Sequence, residues 1–153
     1  MNKKEQALSV TFLQKLMANH AVILFQTLRY HWNLVGPEFH DYHLLFDKQY
    51  RQLFEDLDLI AERIRALDGQ ALGSMDALLK NATLKEDTGK IPNPKQMVTK
   101  LLQQYLYYVE QIRETIGLLE KDSSDYGTRK MLEDLIERYE KVLWMLRSLV
   151  EKI

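Results

Sequence analysis

The chain contains no cysteine. That single absence removes disulfides, cysteine-ligated zinc modules, iron–sulfur clusters and thiol nucleophiles. Helix breakers are scarce as well, with six glycines and three prolines in 153 residues, so long helices meet few obligatory stops. Neither charge sign prevails: 21 Lys and Arg against 22 Asp and Glu leave a net charge of −1, which gives no overall attraction to nucleic acid. No continuous apolar run approaches the roughly 20 residues of a membrane span. The start, MNKKEQALSVTF, lacks the apolar stretch and small-residue cleavage site of a signal peptide. Lys3 and Lys4 form only a very short basic start, read as a solvated terminus. The expectation is a cytoplasmic protein with no membrane partner.

What is present is 46% hydrophobic and 28% charged residues, enough for one domain, residues 1–153, with a real core. Apolar residues recur at three- and four-residue steps in four long segments. The first carries Leu8, Phe12, Leu16, Ile23 and Leu28 and stops at Gly36. Pro37 suits the first turn of a second helix, whose stripe is Phe46, Tyr50, Leu53, Leu57, Ile60, Ile64 and Leu67, closed by Asp68-Gly69. A third starts near Asn93-Pro94 and carries Met97, Leu101, Tyr105, Tyr108, Ile112, Ile116 and Leu119. The fourth follows KDSSD, rich in N-cap candidates, and runs through Leu132, Leu135, Ile136, Tyr139, Val142, Leu143, Leu146 and Leu149. Residues 70–92 connect the two hairpins and hold an apolar patch, Met75, Ala77, Leu78 and Leu79, suited to a short helix. The expected fold is therefore all-α: a ferritin-like four-helix bundle with a short helix in the long crossover between helices two and three.

Chemistry concentrates in RYHWNLVGPEFHDYHLLFDKQY, residues 29–50, which holds three of the four histidines. Candidate metal ligands are His31, His43 and Asp47, with Asp58 and Glu62 further along helix two. His43/Asp47 and Asp58/Glu62 are each spaced i, i+4 and so share a helix face. Imidazole with carboxylate suits first-row metals such as iron or zinc. Taking Phe46 as 0° and about 100° per residue, the core stripe stays within about 60°, and the four helix-two candidates fall at roughly 60–160°. They occupy the flank of the bundle. The internal Glu-x-x-His of di-metal bundles is absent from the sequence.

Asp47 and Asp58 are separated by eleven residues, about 16 Å of helix rise, too far for one ion. An antiparallel copy of helix two, related by a two-fold axis near residue 52 or 53, would set Asp58 and Glu62 of one chain against His43 and Asp47 of the other, twice per dimer. His31 could reach back from before the Gly-Pro break. The plainer readings are a solvated His-Asp pair, a charged face in which Asp58 and Glu62 pair with Arg51 or Arg65, and Trp32 as ordinary packing. His40 lies off the pattern, and His20 reads as a satisfied or partly exposed histidine.

The chain closely resembles the Dps family of mini-ferritins. The resemblance is carried by His31-Trp32-Asn33, Gly36, Phe39, His43, Phe46-Asp47, Tyr50, Asp58 and Ala61-Glu62-Arg63, and continues through Asp125, Thr128 and Lys141-Val142-Leu143-Trp144-Met145-Leu146. It implies a hollow homododecamer that oxidises Fe(II), preferentially with hydrogen peroxide, stores the ferric mineral, and so protects DNA and the cell from oxidative damage. It also implies that His31, His43 and Asp47 of one subunit, with Asp58 and Glu62 of its two-fold mate, are the ferroxidase ligands, with zinc as an alternative occupant. Trp32 resembles the aromatic beside the site that intercepts oxidising equivalents.

Two departures accompany the resemblance. Relatives often line a three-fold iron-entry pore with aspartates from the start of the fourth helix. Asp125 is available here, with Asp122 and Asp134 near it, but an often acidic position is Lys130, which would weaken the inward field for Fe(II). Relatives that bind DNA tightly often carry a longer lysine-rich tail, so only weak DNA binding is expected. The alternative function is a non-specific nucleoid-binding protein of the same fold with little iron chemistry.

Overall fold

The computed structural model describes residues 1–151. Five helices follow one another: α1 (Lys3–Asn33), α2 (Phe39–Ala66), α3 (Met75–Asn81), α4 (Pro94–Asp122) and α5 (Tyr126–Val150). No strand occurs among the described residues. The long helices α1, α2, α4 and α5 form the bundle, and α3 is the short helix expected in the crossover.

Local chemistry explains the boundaries. Asn93 caps α4 through a reciprocal capping box with Gln96, and Pro94 takes the first turn, where its missing N–H costs nothing. Asp125 is the residue of KDSSD that caps α5, accepting from the Thr128 N–H. The basic start agrees with expectation, and the start of α2 differs. Asn2 forms a capping box with Glu5, so Lys3 already lies in α1, and its ammonium pairs with Asp68 at 3.0 Å while both side chains stay exposed, so the basic start is solvated as expected. Pro37 lies ahead of α2, which begins at Phe39, because Gly36 takes φ +128° and the Phe39 N–H closes a turn on the Gly36 carbonyl at 3.1 Å. That conformation belongs to glycine.

The core follows the helical stripes, with Leu16, Ile23, Phe46, Leu53, Ile60, Leu101, Ile112, Leu135 and Leu146 buried. Leu149, expected on the core stripe of α5, is instead exposed near the helix end. α1 departs most from a simple stripe: every residue from Leu16 to Leu24 is buried, because α3 covers the face that the bundle leaves open. This explains why α1 has the length and composition to cross a membrane, contrary to the sequence expectation, although 61% of its apolar window is buried inside the protein.

A polar knot sits inside this core. His20 is fully buried: its Nε2 donates to the Leu53 carbonyl at 2.6 Å, and the Tyr108 hydroxyl lies 3.1 Å from its Nδ1. Asp56, also buried, accepts from the Tyr139 hydroxyl at 2.6 Å and from Arg138. Burial lowers the His20 pKa from 6.5 to about 4, against the opposing influence of the Leu53 carbonyl and Asp56. The unfolded chain therefore binds this proton more readily than the folded one. The stability arising from neutral His20 is complete above pH 6.5 and is lost as the pH falls from there to about 4. Urea midpoints should drop across that window, and His20→Gln should flatten this component of the pH profile.

A second buried pair closes the far end of α2. Arg63 Nη2 meets Asp125 Oδ1 at 2.5 Å, and Arg63 Nε donates to the Thr128 hydroxyl at 2.9 Å. The guanidinium runs so close to Gly127 that a Cβ there would stand 2.8 Å from Arg63 Nη2.

Candidate functional site

The Gly36 turn brings the end of α1 onto the start of α2. His31, in the last turn of α1, and His43, in the second turn of α2, stack with ring centroids 3.9 Å apart and planes 13° from parallel. Each ring is held by the other's backbone: His31 Nδ1 lies 3.0 Å from the His43 carbonyl, and His43 Nδ1 lies 3.0 Å from the His31 carbonyl. A carbonyl only accepts, so both Nδ1 atoms carry the proton. In the neutral tautomer this leaves Nε2 of each ring bare, the form a metal ion requires of imidazole. Phe39 stacks on the His43 ring at 4.8 Å and Tyr50 leans on His31 at 5.2 Å, so neither imidazole is free to turn.

Asp47 lies one turn beyond His43. Arg51 Nε donates to its Oδ2 at 2.9 Å, and this contact holds the Asp47 carboxyl below its usual range. Arg51 also lies over the Tyr50 ring, 5.1 Å from its centroid. The expected pairing of Arg51 with Asp58 or Glu62 is thus replaced by one with Asp47, while Arg65 donates to the Gly69 carbonyl. Among the described residues, Asp58 and Glu62 are exposed and enter no ion pair.

Within one chain the candidates do not converge. His31, His43 and Asp47 gather at one end of α2, Asp58 and Glu62 lie further along it, and no three His, Asp or Glu side chains form a metal cage among the described residues. Trp32 is not ordinary packing: it is 66% exposed. It borders a surface recess with Phe25, Arg29 and Asp87. His40 is exposed and outside the group, and His20 belongs to the core. Sequence reasoning missed Arg51 as the partner of Asp47, for which its i+4 spacing was the available signal. The exchange between ring nitrogens and backbone carbonyls has no signature in sequence.

At the other end of the bundle, two of the three aspartates named for pore lining, Asp125 and Asp134, are engaged by other residues. Asp125 is buried as the α5 cap and the Arg63 partner. Burial alone would raise its pKa, but hydrogen bonds led by Thr128 hold it below the usual range. Lys130 pairs with Asp134. Asp122 ends α4 exposed.

This arrangement has clear relatives. A ferritin-like domain model matches residues 10–153. An uncharacterized low temperature-induced protein of Nostoc is 37% identical over 93% of this chain and 79% of its own. A DNA protection during starvation protein of Brevibacillus brevis is 27% identical over 99% and 100%, respectively. Among solved structures, a Dps protein from Vibrio cholerae, described as one of the ferritin-like diiron-carboxylate proteins, superposes with a TM-score of 0.92 at 30% identity, covering 97% of this chain and 92% of its own. A Dps protein from Bacillus brevis gives 0.91 at 27% identity, covering 99% and 100%. With its helix order, its paired histidines and these matches together, the chain belongs to the ferritin-like domain family and, within it, to the Dps proteins.

Proposed function

We propose that the protein is a ferroxidase and iron store, in which Fe(II) is the substrate and the site is shared between two subunits. Family membership supports an iron-storage or DNA-protection role. The observation that carries the sharper reading is the His31–His43 pair, whose reciprocal Nδ1 bonds leave Nε2 of each neutral ring available, with Asp47 one turn further along α2. Imidazole with carboxylate fits iron, and accepts zinc as a substitute. Asp58 and Glu62 of a two-fold mate would complete the donor set.

Two features of α2 support the two-fold arrangement. The sequence midpoints of His43/Glu62 and Asp47/Asp58 coincide, between residues 52 and 53. Phe54, one residue away and near 80° on the same face, is 64% exposed in the single chain. A large apolar side chain at the proposed axis would be covered by its own copy. Repetition of such dimers would build the dodecameric cage, with Trp32 beside each site.

Two Fe(II) ions give up one electron each and reduce one hydrogen peroxide by two, so a complete turnover releases no hydroxyl radical. Protection of DNA would follow from that stoichiometry in a cytoplasmic protein. Direct DNA condensation is the second reading, and a net charge of −1 speaks against it. Adding peroxide to anoxic protein with Fe(II) should produce a ferric absorbance rise that exceeds the rate with air. Absence of any protein-dependent rise would defeat the proposal. A gel shift retained at physiological salt would instead favour the nucleoid reading.

A further inference from the structure

The ferroxidase reading leaves unused a set of buried oxidisable rings, Tyr105, Tyr108 and Tyr139, of which Tyr108 and Tyr139 pack against His20. The Tyr139 ring lies 5.6 Å from Tyr105 and 5.8 Å from Tyr108. Tyr108 and His20 are fully buried, and their rings meet edge to face at 5.5 Å. The proton positions are determined by the partners. His20 Nε2 faces a carbonyl and must carry the ring proton, so Nδ1 is bare. Tyr139 donates its hydroxyl hydrogen bond to Asp56. The hydroxyl that donates to the bare Nδ1 is therefore that of Tyr108, at 3.1 Å.

A phenol hydrogen-bonded to a neutral imidazole is far easier to oxidise by one electron than an isolated buried phenol. Its proton leaves with the electron, and the unfavourable phenol cation is never formed. Tyrosine alone in this core holds its proton firmly: burial, then the nearby Asp56 charge, push the Tyr108 pKa well above 10. His20 supplies the one adjacent acceptor not already used.

We propose that Tyr108 and His20 form a one-electron oxidation site that takes up oxidising equivalents of the hydroxyl-radical class escaping from incomplete peroxide reduction. In the step, the Tyr108 O–H bond breaks, its proton moves to His20 Nδ1, and its electron reduces the hydroxyl radical to hydroxide. The products are a neutral Tyr108 phenoxyl radical, a His20 imidazolium and hydroxide, which balance atoms and charge. The imidazolium forms between the Leu53 carbonyl and the Asp56 carboxylate, on which Arg138 and Tyr139 converge. Leu53 lies on α2 six residues from Asp47 and five from Asp58, roughly 7–9 Å along the helix, so the carbonyl that holds His20 lies between the two half-sites along α2. The pair's assignment as a sink for that chemistry rests on the ferroxidase reading.

The test bypasses iron. The iron-free protein is oxidised with flash-photolysed ruthenium tris-bipyridine and persulfate, freeze-quenched, and read by electron paramagnetic resonance. A neutral tyrosyl signal is expected, with most of it lost in Tyr108→Phe and in His20→Gln and retained in Tyr107→Phe, whose ring is exposed. In the unsubstituted chain, which needs no variant to fold, a water-soluble gadolinium chelate should leave the relaxation of the radical unchanged. A signal that survives Tyr108→Phe in full, or that relaxes rapidly with the chelate, would overturn the assignment. A Tyr108 radical in protein that does not oxidise Fe(II) upholds the oxidation site and removes the ferroxidase reading alone. Its absence from protein that does oxidise Fe(II) removes the pair alone.

Discussion

Asp58→Ala is expected to lose peroxide-driven Fe(II) oxidation by at least about a hundredfold, since even indirect partners of metal ligands cost up to about that much. Its fold should be indifferent. Asp58 is exposed and enters no ion pair among the described residues, so surface removal changes stability by no more than about 0.5 kcal/mol. Asp58 and Glu62 also repel at i, i+4 along α2, so removing one relieves the single helix by a few tenths of a kcal/mol. A carboxylate that contributes nothing to its own chain and is indispensable to activity has its partner elsewhere. Stopped-flow ferric absorbance, paired with a urea titration, measures both quantities. Retained activity would return Asp58 to the status of a solvated charge. His43→Ala is less selective, because His43 stacks with both His31 and Phe39.

Asp125→Ala should show the opposite signature, a large stability loss. Asp125 is almost wholly buried, caps α5, and receives Arg63 and the Thr128 hydroxyl. Breaking a buried pair by removing one partner costs about 3–5 kcal/mol, and Arg63 is partly exposed, which places the expectation near 3 kcal/mol. About 1 kcal/mol of that belongs to the cap. Asp125→Asn keeps a capping oxygen and should lose distinctly less. Urea midpoints at fixed protomer concentration decide it. An iron-uptake defect in Asp125→Ala at unchanged stability would instead make Asp125 a pore residue.

Most of the fold was legible because it rests on periodicity: each buried stripe from Phe46 to Leu67 and from Met97 to Leu119 repeats at helical spacing. Capping chemistry was legible at Asn93-Pro94 and in KDSSD, and misleading at Pro37, where the positive φ of Gly36 delays α2 to Phe39. The flank position of His43, Asp47, Asp58 and Glu62 could also be read, because a helix fixes angles. What could not be read was anything set by contacts between helices. Nothing in the sequence says that His31 and His43 each donate Nδ1–H to the other's backbone carbonyl. Nor does the sequence mark Asp56 as buried, and only Tyr139 and Arg138 arriving from α5 show it to be so.

The central claim is that each site is made by two chains, and co-expression of His43→Ala with Asp58→Ala chains tests it most directly. His43→Ala keeps the backbone carbonyl that holds His31, so the other half of that chain stays intact. Random pairing makes half of the dimers mixed, and each mixed dimer holds one site with both lesions and one with none. About a quarter of all sites are then whole. The account predicts Fe(II) oxidation in the mixed assembly near one quarter of the unsubstituted rate, from two parents that are each inactive. A mixed assembly as inactive as its parents would contradict it.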